Sequence, residues 1–338
     1  MNGIQKFPVS RDDNWYEAWP DLALTVSGKL VCVFSQCTHH GNRSQTRIMI
    51  TESTDRGRTW GNKRPLTELT NGDPHWNCAR VSRLRDGRLV IVADQVAKTY
   101  AEGGMTYMWI GDAEGTRWSE PIATPLTGIV PDQLIELPSG RWLLSAHYNG
   151  QWLRYSDNQG IDWSEPVLIA NDPGLKLCEV SILPLDDGTL VAFLRENSGE
   201  GWDCYKAISY DQGESWSGLY RMPLPGCHRP VAGLLQSGQI LITYRFMQGG
   251  KGWLGKWTQN FFAAITDQES AKALERREQW TRIMPIDFDR SPVADLGYSG
   301  WVQFDDGEIY VVQYIVDDAP MGQIRGYSLR EEDFMLEG

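Results

Sequence analysis

Basic residues are in short supply in this chain. Lysine and arginine total 32 against 44 aspartates and glutamates, for a formal net charge of -12. A surface so anionic excludes nucleic acid and anionic membranes as natural partners. It leaves a small neutral or cationic partner, or an anion gripped by a local arginine cluster. Cysteine is also sparse. The 6 copies are Cys32, Cys37, Cys78, Cys178, Cys204 and Cys227, and no two form a CxxC pair. Their scatter excludes a disulfide framework and points to a reducing compartment. No apolar run reaches the length of a membrane-spanning helix. The opening MNGIQKFPVS has no basic segment followed by an apolar one, so the expected location is cytoplasmic. The 5 histidines include the adjacent pair His39 and His40 and the isolated His75, without metal-ligand spacing; neither metal nor cofactor is expected.

Turn formers and aromatics are abundant, with 34 glycines and 15 tryptophans, a β-rich composition. Leu177 to Asn197, LCEVSILPLDDGTLVAFLREN, sets the pattern. Two apolar runs flank a tight turn at Asp186-Asp187-Gly188, a strong hairpin signal. The frame recurs six times, with turn glycines at Gly28, Gly87, Gly140, Gly188, Gly238 and Gly307. The strands that follow are nearly continuous in apolar residues, so both of their faces are covered. Stacked blades of a propeller supply that cover. The expectation is an all-β, six-bladed propeller of four-stranded antiparallel blades, a single domain over 1–338. The segment Ile4 to Val9 closes the ring as the outer strand of the last blade, because an open ring would expose sheet edges.

A second motif follows several hairpins. Ser53 to Trp60 reads S-x-D-x-G-x-T-W, and Ser209 to Trp216 repeats it. Ser156 to Trp163 carries Asn158 for the aspartate, while Gly111 to Trp118 keeps only Gly and Trp. An Asp or Asn side chain bonding nearby amides, with Gly at positive φ, makes a compact turn. The motif is absent between Gly249 and Pro285, where TDQESAKALERREQW from Thr266 reads as a short helix capped by Thr266 or Asp267.

These motifs are the Asp boxes of the sialidase (neuraminidase) superfamily, and nearly the whole chain resembles that family. The boxes specify the fold and not the chemistry. Chemistry is sought at one end of the six hairpins. Nine residues before each turn glycine stand Trp19, Cys78, Pro131, Glu179, Arg229 and Tyr298; seven after stand Ser35, Asp94, His147, Arg195, Arg245 and Tyr314. Each is expected to face its partner across the hairpin, forming two rings at one mouth of the channel. A structural ion pair is the competing reading of Glu179 and Arg195, a core aromatic that of Tyr298, a turn cap that of Asp94. Arg80, Arg83 and Arg85 are expected to be surface charges. An acid, a phenol and several arginines converging on one concavity favour a site.

The resemblance implies roles. Tyr298, in Gly297-Tyr298, matches the family nucleophile and Glu179 its base, the exception to the paired-carboxylate rule. A neutral phenol approaches an anomeric carbon bearing a carboxylate more easily than an anion does. An arginine cluster would hold that carboxylate, Arg195 together with either Arg229, in His228-Arg229-Pro230, or Arg245 from blade five. Two positions depart from the family. Ala18-Trp19-Pro20 replaces its first arginine motif, and Cys37 to Gly41 lacks its acid/base Asp. Asp94, His39 and His40 are therefore the candidate proton donors. Arg195, Arg245, Arg229, His228, Trp19, Asp21 and His147 are the candidate substrate-binding residues, and Trp76 and Trp152 could also stack on a sugar. The leading expectation is an exo-acting glycoside hydrolase on a terminal acidic sugar of a small glycan. A uronate lyase and a non-catalytic carbohydrate-binding propeller are the alternatives.

Overall fold

A computed structural model describes residues 4–97, 104–198, 203–247 and 259–335. Six antiparallel sheets form a six-bladed propeller. The inner strands are Tyr16–Leu24, His75–Arg83, Ile135–Glu136, Leu177–Pro184, Cys227–Leu234 and Leu296–Gln303, in blades one to six. Blade one adds a fifth short strand, Thr70–Asn71. The ring closes as expected: Gln5–Ser10 pairs with Gln323–Leu329 and becomes the outer strand of blade six.

The six turn glycines share one geometry, with φ between +82° and +93°. In each turn the Gly N–H donates to the carbonyl three residues back, as from Gly188 to Leu185 at 3.0 Å and from Gly307 to Phe304 at 2.9 Å. This backbone is nearly free for glycine and strained for other residues. The six-fold repeat thus has a local cause, and the second strands can be wholly apolar because neighbouring blades cover both faces. Leu190–Glu196 is buried at every position.

The box turns differ more in sequence than in bonding. Asp55 Oδ1 accepts from Thr59 N at 2.9 Å, and Trp60 Nε1 donates to Gly57 O at 3.2 Å. Asn158 accepts from Asp162 N at 2.8 Å in the same way. The degenerate copy keeps the arrangement one residue earlier: Asp112 accepts from Thr116 N at 2.9 Å and Thr116 Oγ1 at 2.7 Å. Trp118 Nε1 donates to Gly115 O at 2.9 Å. In blade five the helix is Gln268–Lys272, and Asp267 is its cap, accepting from Ser270 N at 2.7 Å. The part of that stretch from 249 to 258 lies outside the described residues.

Arg80 corrects a sequence expectation. Arg83 and Arg85 are exposed, but Arg80 is 1% exposed and pairs with Asp21 at 3.2 Å. Its Nη1 also donates to Ser299 O at 3.0 Å. Asp21 in turn accepts from Val81 N and from Gln133 Nε2, both at 2.8 Å. The pair ties blades one, two and six around the channel. Asp132 accepting from Ile182 N at 2.8 Å joins blade four to the inner segment before it in the same manner. These side chains satisfy amides that the propeller leaves unpaired between its sheets.

Candidate active site

The two rings form, but not by direct pairing. Across the blade-four hairpin Arg195 faces Cys178, and the register slips between Cys178 and Val180. Glu179 is the slipped residue, with φ +48°. The same bulge recurs at Trp19, Arg229 and Tyr298, with φ of 55°, 51° and 49°. Blade three places Val130, not Pro131, in that conformation, at φ 50°. The expectation of cross-strand partners is therefore wrong by one residue in these blades. A bulge turns a side chain out of the sheet's alternation and re-aims it. Each left-handed non-glycine residue costs on the order of 1–3 kcal/mol and persists only where its surroundings over-determine it. Four chemically capable residues held this way at one end of the channel mark a built site.

Tyr298, Glu179 and Arg195 meet there. The Tyr298 hydroxyl donates a short hydrogen bond to Glu179 Oε1. Arg195 Nη1 donates to Glu179 Oε2 at 2.7 Å, and its Nη2 to Asn197 Oδ1 at 2.9 Å. Glu179 is 5% and Tyr298 7% exposed, so the pair works in a low dielectric with a narrow opening. Burial alone would raise the Glu179 carboxyl. The charges of Arg195, Arg245 and His147 outweigh it and hold the carboxyl at about 2. Burial, reinforced by the Glu179 charge, pushes the Tyr298 phenol well above its ordinary range. At neutral pH the site holds a carboxylate and a neutral phenol.

Two more guanidinium groups face the Tyr298 ring, Arg245 at 5.6 Å and Arg229 at 5.9 Å from its centroid. Arg229 is anchored, donating to Val180 O at 2.7 Å and lying 3.8 Å from Asp132. Arg245 is fully buried and donates to Leu296 O at 3.3 Å. Its Nε and Nη2 have no hydrogen-bond partner among the described residues, nor does Nε of Arg195 or Arg229. Gly297 makes room for Arg245: at φ +111°, a Cβ there would lie 2.7 Å from Arg245 Cβ. Buried cationic N–H groups without acceptors are costly and call for an anion.

The histidines divide. His147 Nδ1 accepts from Glu179 N at 3.4 Å, and burial lowers its imidazole to about 4. His228 is opposite Arg245 in the blade-five hairpin; burial, then Arg195 and Arg245, keep it neutral. His39 is exposed, with its ring 5.0 Å from that of Tyr16. His40 turns inward and pairs through Nδ1 with Asp295 Oδ2. Asp295 also accepts from Tyr16 at 2.5 Å and Tyr314 at 2.8 Å. Trp19 packs edge-on to His40 at 4.9 Å and carries the Arg43 guanidinium at 4.0 Å on its ring. Trp76 packs on Tyr107 and Trp109 in the interior. Trp152 donates to Tyr148 O at 2.8 Å.

Asp94 is engaged elsewhere. Its carboxylate accepts from Asn77 Nδ2 at 2.8 Å, Cys78 N at 3.1 Å and Val130 N at 3.1 Å. It anchors the walls, as Asp21 does, with three donors on its two oxygens. Sequence reasoning missed Asp295, Tyr16, Arg43 and Asn77. Tyr314 stood on the forward ring, and Asp295 lies three residues before Tyr298, the one local signal available.

The model of the BNR repeat-like domain matches residues 28–311. The chain belongs to that family. No curated protein matches the sequence. This sialidase-like BNR propeller shares its fold with solved structures. One is a Dyadobacter fermentans protein of unknown function, at 19% identity and TM-score 0.78, covering 98% of this chain and 100% of that one. Another is the intramolecular trans-sialidase of Ruminococcus gnavus in complex with oseltamivir carboxylate, at 14% and 0.68, with 96% of each chain covered. A third is an α-L-arabinofuranosidase from Fusarium graminearum in complex with an iminosugar inhibitor, at 11% and 0.68, covering 99% and 100%. At these identities the likeness is one of fold, which this chain shares with a trans-sialidase and an arabinofuranosidase.

Proposed function

We propose that this propeller is an exo-acting glycoside hydrolase that removes a terminal acidic sugar from a small glycan. Tyr298 is its nucleophile and Glu179 the base. The observation that carries the reading is the Tyr298–Glu179–Arg195 contact beneath the unpartnered N–H groups of Arg245. A sugar carboxylate would accept from those groups and place the anomeric carbon over the phenol. The resting phenol and carboxylate are far apart in acidity, so the proton moves in concert with attack. As the Tyr298 oxygen bonds to carbon its proton becomes acidic and passes to Glu179. Arg195 and Arg245 stabilise the partial negative charge that the phenolic oxygen carries in the transition state, before it becomes a neutral ether oxygen.

The test is a panel of 4-methylumbelliferyl glycosides of N-acetylneuraminic acid, glucuronic acid and L-arabinofuranose, with the products identified. Release of a saturated acidic sugar supports the reading. An unsaturated product absorbing in the near ultraviolet would instead identify a lyase. Binding of the free acid without turnover would identify a carbohydrate-binding propeller.

A further inference from the structure

Asp94 is held by three donors of the channel walls, and Tyr298 and Glu179 are committed to attack. The site has a second buried acid–imidazole contact. His40 lies in the turn between the strands Leu30–His39 and Asn42–Ser53 and is 8% exposed. Asp295 receives His40 Nδ1 and the hydroxyls of Tyr16 and Tyr314, while Asp289 Oδ2 accepts from Asp295 N at 2.9 Å. Three donors converging on one carboxylate keep it ionised. The Tyr314 ring stands between the two halves of the site, 6.3 Å from His40 and 6.3 Å from Tyr298. The imidazole and the phenol thus both border the Tyr314 ring.

We propose that His40 and Asp295 are the proton-transfer pair of this site, with His40 the catalytic residue and Asp295 the positioning residue that fixes its ring. The inference rests on the hydrolase reading above. In the first step the Tyr298 oxygen bonds to the anomeric carbon and the bond to the leaving oxygen breaks. Glu179 takes the phenol proton, and the His40 imidazolium gives its Nε2 proton to the leaving oxygen. In the second step water bonds to the anomeric carbon and the bond to Tyr298 breaks. His40 takes the water proton, and Glu179 returns its own to the phenol. The sum is glycoside plus water to sugar plus alcohol.

The groups facing His40 set its titration. Burial pushes the imidazole down, Asp295 pulls it up, and Arg43 and Arg245 push it down again, for a net lowering. The rings of Tyr16, Trp19 and Tyr314 pack beside it. The protonated form therefore exists mainly on the acid side of the ordinary histidine range.

The experiment compares methyl and 4-methylumbelliferyl glycosides of the panel sugar that is turned over. A methoxide leaving group needs a proton; an aryl oxide hardly does. For the wild-type protein the methyl-to-aryl ratio of turnover falls as pH rises through the lowered His40 pKa. His40→Gln lowers kcat/KM, which reports the first step alone, by at least about a hundredfold for the methyl glycoside and by less than about tenfold for the aryl one. Asp295→Asn shifts the alkaline fall of the methyl profile to lower pH, and the His40 imidazole NMR titration moves with it. A flat wild-type ratio, equal losses on both substrates, or an unmoved Asp295→Asn profile overturns the proposal. If Tyr298→Phe abolishes methyl glycoside turnover while His40→Gln does not, this inference alone fails. If no glycoside is turned over, the hydrolase reading fails and this falls with it.

Discussion

Replacing Arg195 by Met should cost stability by an amount that depends on pH. Glu179 is 5% exposed and its carboxyl is held at about 2, against 4.5 for an unperturbed glutamate. A gap of roughly 2.5 units at about 1.4 kcal/mol each amounts to about 3 kcal/mol of folding stability. The folded value is the depressed one. That stability is therefore complete above the unfolded pKa and is lost as pH falls through the folded one. Without Arg195 the carboxyl keeps its burial and loses the nearest cation, so its pKa rises past the ordinary value. At pH 7 the variant should be less stable by about 3 kcal/mol, within the range for breaking a buried pair. The deficit should shrink as pH drops through 5 and 4, and reach about 1 kcal/mol near pH 3, where the variant's Glu179 is protonated. Urea unfolding at each pH measures it. A deficit that is constant from pH 7 to pH 3 would refute the reasoning, because the cost would then be packing and not charge.

Other consequences are simpler. Gly297→Ala should cost about 1–3 kcal/mol and weaken binding of the acidic sugar, because its Cβ strains a positive-φ position and displaces Arg245; urea unfolding and calorimetric titration check it. Arg80→Met should cost about 3–5 kcal/mol by leaving the buried Asp21 without its guanidinium partner, and adding Asp21→Leu should recover part of that in the same assay. Asp112→Ala should cost about 1 kcal/mol, close to Asp55→Ala, if the degenerate turn is held by the same bonds as the complete one.

The blades were legible in the sequence because their causes are local. An Asp-Gly or Ser-Gly turn between apolar runs fixes a hairpin wherever it occurs, and six copies fix the ring. The closing strand was legible from the edge it had to cover. The degenerate box hid its Asp112 and Thr116 only because both moved one position together. The inner-strand bulges were not legible. Their left-handed residues are Trp19, Val130, Glu179, Arg229 and Tyr298, side chains with no intrinsic taste for that conformation; the closed ring imposes it. Counting from the turns nonetheless found most of these residues, because the slip moves the pairing and not the position along the strand. Arg80 looked like one of three surface arginines, since nothing nearby in sequence announces Asp21 or Ser299 as its partners. His40 and Asp295 are separated by almost the whole chain, so only the closed propeller brings them together.

The most direct test of the site is turnover by Tyr298→Phe. The variant loses one hydroxyl and keeps the ring between Arg229 and Arg245. A nucleophile at this position predicts a fall in kcat of at least about a hundredfold, with affinity for the free acidic sugar unchanged. Near-native kcat in Tyr298→Phe would contradict the account and leave Tyr298 as a wall of the pocket.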